Sequence, residues 1–405
     1  MTFGPATRTE GVARMEAFIP RMGRRYTAGR NFDRGPGQHR DVSCLSPWLR
    51  RRLVTEEEVV LAAIRAHGLE GAEKYIQEVF WRGYFKGWLE RRPSVWAAYR
   101  DGLADDLAAL EHDHDLQRRV AAAENGGTGI ACFDAWAREL VKTGYLHNHA
   151  RMWFASIWIF TLRLPWRIGA DFFYRHLLDG DPASNTLSWR WVAGLHTRGK
   201  FYAAQSWNIT KFTGQRFAPA AGELAEVTEG LEGQEPEGLP ELQPLRKARA
   251  PLARVPSLVL VKEEDGRLEE LGLEQVEICG AVRLSASHLR SPRGVAEPVA
   301  EFEAAALSDI AQRAGVVATP MRAESPEALV ALAARVGARQ VVTAYLPEGP
   351  LRDWLRATEP LLEAEGIAFC EWQREWDLAI WPHATAGFFK VKKQIPRIVA
   401  QRQLQ

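Results

Sequence analysis

The sequence has 405 residues, 46% of them hydrophobic and 25% charged, with a formal net charge of +1. This composition is ordinary for a soluble globular protein, and the length allows two domains. The overall charge does not indicate a nucleic-acid partner, so a surface for one must come from local clusters of arginine. Each arginine cluster can equally be a solvated charged face; the clusters are Arg21, Arg24, Arg25 and Arg30, then Arg50, Arg51 and Arg52. The 15 tryptophans are unusually many.

The four cysteines are too scattered for a disulfide framework, a CxxC pair or zinc ligation, so we expect a reducing, cytoplasmic setting. No stretch approaches about 18 uncharged apolar residues, so no membrane span is predicted. The N-terminus lacks the apolar core of a secretory signal. No HExxH motif occurs, and we expect no metal site and a monomeric protein.

In chain order, residues 1–219 show helical apolar spacing with few strand-like runs, which predicts an all-helical domain. Residues 220–250 are acidic and rich in Pro and Gly, which is typical of a linker or a mobile excursion. In residues 251–405 short apolar runs alternate with helical stretches, which predicts an α/β domain with a parallel sheet. The predicted strands are 257–261, 276–284, 316–320, 340–345 and 367–372, and the predicted helices are 301–314, 326–336 and 351–365. A glycine follows each of these helices, as a left-handed C-cap requires.

Three segments of the helical half carry candidate site residues. Tyr26 precedes the run SCLSPWL, whose Ser43, Leu45 amide and Ser46 can donate to a pyrophosphate, although such a turn is usually only a helix cap. In YIQEVFWRGYF the spacing places Glu78, Trp81 and Arg82 on one helix face. The simplest explanation of Glu78 with Arg82 is an exposed ion pair.

The segment 145–205 is the most informative. Asn148, Arg151 and Met152 share a helix face, and a paired acid loop with Asp179 and Asp181 follows. We expect Arg151 to pair with Asp179, because a buried charge without a partner is expensive. The tryptophans of this segment suit a buried redox ring, although such residues are more often simply core; they are Trp153, Trp158, Trp166, Trp189 and Trp191.

These motifs, HN-x-x-R-M, W-R-x-G, DGD-x-A-x-N and W-x-W, resemble the FAD-binding core of the photolyase and cryptochrome family. The resemblance implies bound FAD, held by Tyr26, Ser43, Leu45, Ser46, Arg82, Asn148, Arg151, Asp179, Asp181 and Asn185. It assigns Glu78, Trp81, Asn148, Met152 and Trp191 to a pocket for a flipped base, and Trp189 and Trp166 to electron transfer. Val42 stands where the family usually has Thr. The usual distal Trp is missing between Asp101 and Asn125, so Trp153, Trp158, Trp191 or Trp207 supplies the exit, or photoreduction is inefficient.

The family normally places its α/β domain first, so the order here resembles a circular permutation, with fusion of an unrelated α/β domain as the alternative. The resemblance implies light-driven repair of cyclobutane pyrimidine dimers in DNA. Asn185 is the repair-type residue. Where enzymes for six-four photoproducts have three histidines, this chain has His147, Asn148 and Met152, so the second and third histidines are missing. The alternative is a cryptochrome-like blue-light receptor that does no repair. Which antenna chromophore, if any, the C-terminal half binds does not follow from the sequence.

Overall fold

The computed structural model describes residues 3–403 and consists of a helical half followed by a parallel five-stranded sheet with helices. The fold class predicted from the sequence, all-helical and then α/β, is therefore confirmed. The helices of the first half are α1 (Arg8–Phe18), α2 (Arg24–Gly29), α3 (Ser46–Arg50), α4 (Glu56–Gly71), α5 (Glu73–Glu90), α6 (Pro93–His112), α7 (His114–Asn125), α8 (Ala131–Thr143), α9 (Asn148–Ser156), α10 (Trp166–His176), α11 (Pro182–Val192) and α12 (Ser206–Phe212).

Residues 213–255 connect the halves and contain one 3₁₀ turn, Glu232–Gln234. This connection contacts the helical half. Arg190 of α11 donates from Nη2 to Glu235 at 2.6 Å, and the Leu231 N–H donates to the Ala193 carbonyl at 2.8 Å. The predicted linker therefore packs against the C-terminal end of α11.

In the C-terminal half the strands have the order β3-β2-β1-β4-β5, all parallel. Its elements are β1 (Pro256–Val261), β2 (Glu277–Ser285), α13 (Glu297–Arg313), β3 (Ala318–Arg322), α14 (Pro326–Arg335), β4 (Gln340–Ala344), α15 (Pro350–Ala364), β5 (Ala368–Trp372), α16 (Glu375–Ile380), α17 (Phe389–Lys392) and α18 (Ile395–Gln403). All five predicted strands and all three predicted helices are present. Gly315, Gly337 and Gly366 follow their helices at φ 67°, 72° and 69°, the left-handed region that favours glycine.

The prediction was wrong at the start of α13, which begins four residues earlier than expected. Pro298 lies in its first turn, where proline is favoured because its fixed φ suits the helix and its missing N–H would be unpaired anyway. The segment GFFKVKKQIPRIV, which resembles later α/β sequence, forms α17 and most of α18 and returns to the helical half. Just before this segment the chain packs closely on Gly83 and Gly87 of α5, since a Cβ on Gly87 would lie 2.8 Å from the Trp381 Cα.

The arginine cluster at residues 50–52 is not the solvated face that was one of its two explanations. Arg50, Arg51 and Arg52 are at most 4% exposed and pair with acidic residues at and beyond the carboxyl end of β1. Glu263 accepts from Arg50 at 3.1 Å and from Arg290 at 2.9 Å, and it forms an ion pair with Arg51 at 2.9 Å. Burial alone would raise the pKa of Glu263, but these three guanidinium groups hold that pKa far below its usual range.

Arg52 is a second link between the halves. Its guanidinium lies 2.6 Å from Asp377 of α16, 3.2 Å from Asp265 and 3.0 Å from Glu56. The carboxyl ends of parallel strands are where doubly wound sheets usually bind ligands. Here the cavity at that edge, lined by Lys86, Asp181 and residues 346–352 among others, has a volume of only about 10 Å³, room for about one water molecule.

We expect Arg52→Ala to lower the free energy of unfolding by about 3 to 5 kcal/mol, because it leaves Asp377 and Asp265 buried with a partner missing. Urea denaturation followed by far-ultraviolet circular dichroism measures this. The exposed Arg24→Ala is the matched control. A loss below about 1 kcal/mol in Arg52→Ala would contradict the structural role of this pair.

A second prediction concerns Glu90 at the end of α5, which accepts from the Tyr345 hydroxyl at 2.5 Å and the Glu348 N–H at 2.7 Å. Burial raises the pKa of Glu90 to about 7, and the Glu348 charge adds to the rise. The unfolded pKa is lower, so the stabilisation by protonated Glu90 is complete below about pH 4.3 and is lost as the pH rises through 7. Glu90→Gln cannot titrate and should gain up to about 3 kcal/mol relative to wild type between about pH 4 and pH 8.

The measurement is the difference in unfolding free energy between Glu90→Gln and wild type at several pH values. Glu365→Gln, at an exposed position on the same half as Tyr345, is the control for the substitution itself. A difference for Glu90→Gln that does not vary with pH would show that Glu90 does not titrate in this range.

Candidate functional site

The polar face of α5 begins at Glu78. Glu78 forms an ion pair with Arg30, the residue that follows α2. Burial raises the pKa of Glu78. Tyr26, 8% exposed, packs its ring edge-on against Tyr75 at 4.9 Å. The exposed Glu78–Arg82 pair, the simplest explanation from the sequence, is not formed: Glu78 is half-buried and its partner is Arg30.

Arg82 lies one turn further along α5 and has unused hydrogen-bond donors. Its side chain is 14% exposed, and its Nε is 3.8 Å from Glu56 Oε1. Within residues 3–403, no hydrogen-bond acceptor serves its buried Nε or Nη2 atoms. An unsatisfied buried guanidinium is expensive, so this arrangement favours an anionic ligand that accepts from Arg82.

The acid loop is held from both sides. Arg151 of α9 donates from Nη2 to Asp179 at 2.8 Å, so the predicted pair is present. Burial alone would raise the pKa of Asp179, but Arg151 brings that pKa below its usual range. The backbone of the same loop accepts from the arginine cluster: Arg50 Nε lies 2.8 Å from the Gly180 carbonyl, and Arg51 Nη1 2.6 Å from the Leu178 carbonyl.

Asp181 caps α11 and meets a buried lysine. Its Oδ1 accepts from the Ser184 N–H at 2.8 Å, and its Oδ2 lies 3.6 Å from Lys86 Nζ. Burial opposes ionisation of Asp181, yet Lys86 and Arg50 hold its pKa well below the usual range. Asp181 is therefore ionised, while burial lowers the pKa of Lys86.

The segment that contains Ser43, Leu45 and Ser46 turns sharply into α3. Cys44 has φ 51°, in the left-handed region, and the Leu45 N–H reaches Ser43 Oγ at 3.4 Å. Asn185 in α11 is 8% exposed and donates from Nδ2 to the Ala170 carbonyl at 2.8 Å. Its Oδ1 is then the atom that the amide can offer to a donor on a ligand.

The residues expected in the base pocket have different surroundings. Asn148 is exposed at the start of α9, and Met152 is half-buried one turn later. Trp191 stacks on Tyr202 at 5.6 Å. The ring of Trp81 contacts Tyr84, Phe85 and Phe388, and in the described part of the chain no ring contact joins Trp81 to Trp191.

The two tryptophans expected in electron transfer are buried and have aromatic neighbours. Trp189 lies 6.3 Å from Trp158, and Trp166 lies 5.9 Å from Tyr99, which in turn lies 5.4 Å from Trp96. Tyr99 and Trp96 belong to α6, which extends into the segment between Asp101 and Asn125 where the usual distal Trp is missing. Of the four replacement candidates for the distal Trp, Trp158 is fully buried and Trp207 is 61% exposed.

Three charged residues of this site were missed by sequence analysis. Lys86 follows Arg82 by four residues and Glu78 by eight, so helical spacing alone could have placed it on the same face. Arg50 and Arg51 were noted only as a surface cluster. Their contacts to the acid loop join positions about 130 residues apart, and local spacing carries no signal for such contacts.

The helical half is similar to known proteins. Residues 75–221 match the family model described as the FAD binding domain of DNA photolyase. The helical half carries a photolyase-type FAD-binding domain. The chain is 38% identical over 161 residues to a deoxyribodipyrimidine photo-lyase of Streptomyces griseus, covering 38% of this chain and 33% of that protein.

Two further relatives match over similar spans. A deoxyribodipyrimidine photo-lyase of Thermus thermophilus is 35% identical over 45% of this chain and 42% of its own length. A cryptochrome DASH of Ostreococcus tauri is 34% identical over 45% of this chain and 34% of its own. The chain thus spans less than half the length of these relatives. A class III photolyase structure from Agrobacterium tumefaciens is 27% identical, with TM-score 0.43, over 51% of this chain and 43% of that one.

FAD is the cofactor of this photolyase-type domain, and the polar atoms left over in the site fit it. Arg82 Nε and Nη2 are donors without acceptors, which a phosphate would supply. Asp179 Oδ1 is a buried acceptor without a donor, which a hydroxyl or ring N–H would supply.

For a metal ion the result differs: over residues 3–403 no cluster of three or more His, Cys, Asp and Glu side chains is placed to bind one. None of the described helices is long and apolar enough to cross a membrane.

We expect Arg82→Ala to weaken FAD binding by roughly 10- to 100-fold, because one charged hydrogen-bond donor set is worth about 1.5 to 3 kcal/mol. Titration of FAD into cofactor-free protein, followed by flavin fluorescence, measures the dissociation constant. Arg65→Ala, exposed on α4, serves as the control and should leave FAD binding unchanged. Equal FAD affinity in Arg82→Ala and wild type would remove Arg82 from the cofactor site.

Proposed function

We propose that this protein repairs cyclobutane pyrimidine dimers in DNA in a light-driven reaction. The observation that carries the proposal is the presence of unsatisfied buried polar atoms on Arg82 and Asp179. Asp179 is paired with Arg151 of α9, the helix that carries the exposed Asn148 and the half-buried Met152. Relatives named deoxyribodipyrimidine photo-lyase support the reaction type. Reduced FAD supplies the light-excited electron, which returns after the two bonds of the dimer break, so there is no net redox change.

The residues of the chain have separate roles in this proposal. Ser43, Leu45, Ser46 and Arg82 hold the phosphates, while Tyr26, Arg151 and Asp181 shape the remaining cofactor site. Asp179 and Asn185 offer acceptor oxygens to ring and sugar donors. The negative charge of Asp179 is present at any physiological pH, because the Arg151 pair keeps its pKa low.

The substrate pocket of the proposal consists of Trp81, Glu78, Asn148, Met152 and Trp191. An aromatic plane suits a base that has left the stack, and Glu78 or Asn148 can bind its polar edge. Trp189 and Trp166 would relay electrons when the cofactor needs reduction. Tyr99 and Trp96 continue this row of rings, and we add them to the proposed relay.

A non-repairing, cryptochrome-like light receptor is the second candidate. Its support is the 34% identical cryptochrome DASH and the covered ring face of Trp81. Under either candidate we propose separate domains at 1–219 and 251–405 with linker 220–250, permuted relative to the family. We also propose that the protein is a monomer. We propose a reducing, cytoplasmic setting as well, and the four free cysteines support this setting.

The deciding assay uses chemically reduced, FAD-loaded protein with DNA that contains cyclobutane thymine dimers, under blue light and in the dark. We expect light-dependent loss of dimers, and DNA binding that weakens steeply with salt because phosphates are neutralised. Bound FAD without dimer loss would favour the receptor over the enzyme.

Trp81→Ala should weaken binding of dimer-containing DNA by about 10- to 100-fold while FAD is retained, since one stacked base is worth about 1 to 3 kcal/mol. Trp81→Phe keeps an aromatic plane and should recover most of the binding. Fluorescence anisotropy with a labelled duplex measures both variants. If Trp81→Ala binds dimers as well as wild type, Trp81 is not part of the pocket.

A further inference from the structure

The ring of Trp81 is already stacked, by a residue from the far end of the chain. Phe388 lies face to face with Trp81, with ring centroids 4.1 Å apart and planes 14° from parallel. Phe388 is only 9% exposed, and its ring also meets Tyr84 edge-on at 5.6 Å. Offset parallel stacking at this distance is the arrangement that a nucleobase adopts on an aromatic side chain.

The segment that carries Phe388 is short and fixed at both ends. Ala384 and Val391 are fully buried. Of residues 385–390 between them only Phe388 is buried, so displacing this stretch takes one side chain out of the core. Two hydrogen bonds hold this stretch: the Tyr84 hydroxyl donates to the Ala386 carbonyl at 2.9 Å, and Arg92 Nη2 donates to the Thr385 carbonyl at 3.0 Å. Gly387 is exposed, and a Cβ there would meet nothing within 4 Å, so the backbone next to Phe388 has room to turn.

The same segment has the charge that a polyanion requires. Lys390, Lys393 and Arg397 are exposed, and no acidic partner is paired with them within residues 3–403. Phe389 is 63% exposed, with Lys393 Nζ 4.4 Å from its ring centre. Basic side chains interleaved with an exposed aromatic ring are typical of a surface that binds nucleic acid.

We propose that Phe388 takes the place of a base on Trp81 while no DNA is bound, and that a flipped pyrimidine dimer must displace it. The inference rests on the proposed function, because it makes Phe388 a competitor at the pocket proposed there. It also reconciles the covered face of Trp81 with a stacking role. Phe388 then lowers the affinity for the dimer alone, since undamaged DNA, whose bases stay stacked, does not compete for Trp81.

The size of the effect follows from the fraction of molecules with Phe388 displaced. Apparent affinity falls in proportion to the fraction of molecules in the competent state. If about one molecule in ten has Trp81 open, removing the Phe388 ring tightens dimer binding about tenfold. Undamaged DNA, which uses the phosphate contacts alone, should bind with unchanged affinity.

The test compares wild type, Phe388→Ala, Phe388→Leu and the matched control Phe389→Ala, all FAD-loaded and in the dark. Anisotropy titrations use one duplex with a single thymine dimer and the same duplex undamaged. We expect both Phe388 variants to bind the dimer duplex about tenfold more tightly. Phe389→Ala removes a ring of the basic surface, so it should affect both duplexes alike and leave the ratio of their affinities as in wild type. Phe388→Leu fills the space without a stacking plane, so it answers the question if Phe388→Ala fails to fold.

Each result has one meaning. If wild type prefers the dimer duplex but neither Phe388 variant binds it more tightly, the competition by Phe388 is overturned and the proposed function stands. If Phe389→Ala tightens binding as much as the Phe388 variants, the effect does not come from opening Trp81, and the inference again fails. If none of the proteins distinguishes damaged from undamaged DNA, the proposed function fails and this inference fails with it.

Discussion

Three consecutive buried arginines are the constraint on which the rest of the molecule depends. Arg50, Arg51 and Arg52 take acidic partners from the C-terminal half, chiefly Glu263 and Asp377. Buried charges are tolerated only with good geometry and complete pairing. The relative position of the halves is therefore set by a few charge-assisted contacts, since neither half can move without exposing or isolating these groups.

Two of these arginines also contact the acid loop of the proposed cofactor site. Arg50 and Arg51 bind backbone carbonyls on either side of Asp179, while Arg151 and Lys86 bind the two carboxylates of that loop. The interface between the two halves and the proposed cofactor site are thus one hydrogen-bonded network. This explains why the sheet edge that usually receives ligands is closed here: its acidic residues are already used to orient the site on the helical half.

Sequence analysis predicted the local features well. Alternation of apolar runs and terminal glycines located five strands and three helices, and helical spacing located the polar face of α5. The predictions were wrong where the structure depends on contacts between distant positions of the sequence. The spacing of Glu78 and Arg82 suggested a surface pair, but Arg30 lies closer to Glu78 in the fold. From the sequence alone Arg50, Arg51 and Arg52 look like solvated residues. In the fold they lie beside Glu263 and Asp265, which follow β1 and are more than 200 positions away.

The glycine face of α5 has a consequence for the order of events during synthesis. Gly83 and Gly87 let Ile380 and Trp381 lie directly on the helix backbone, on the flank of α5 next to Arg82 and Lys86. A ribosome delivers these residues about 300 positions after α5 itself. The glycine flank of α5 therefore stays bare during synthesis until the residues near position 380 have been made.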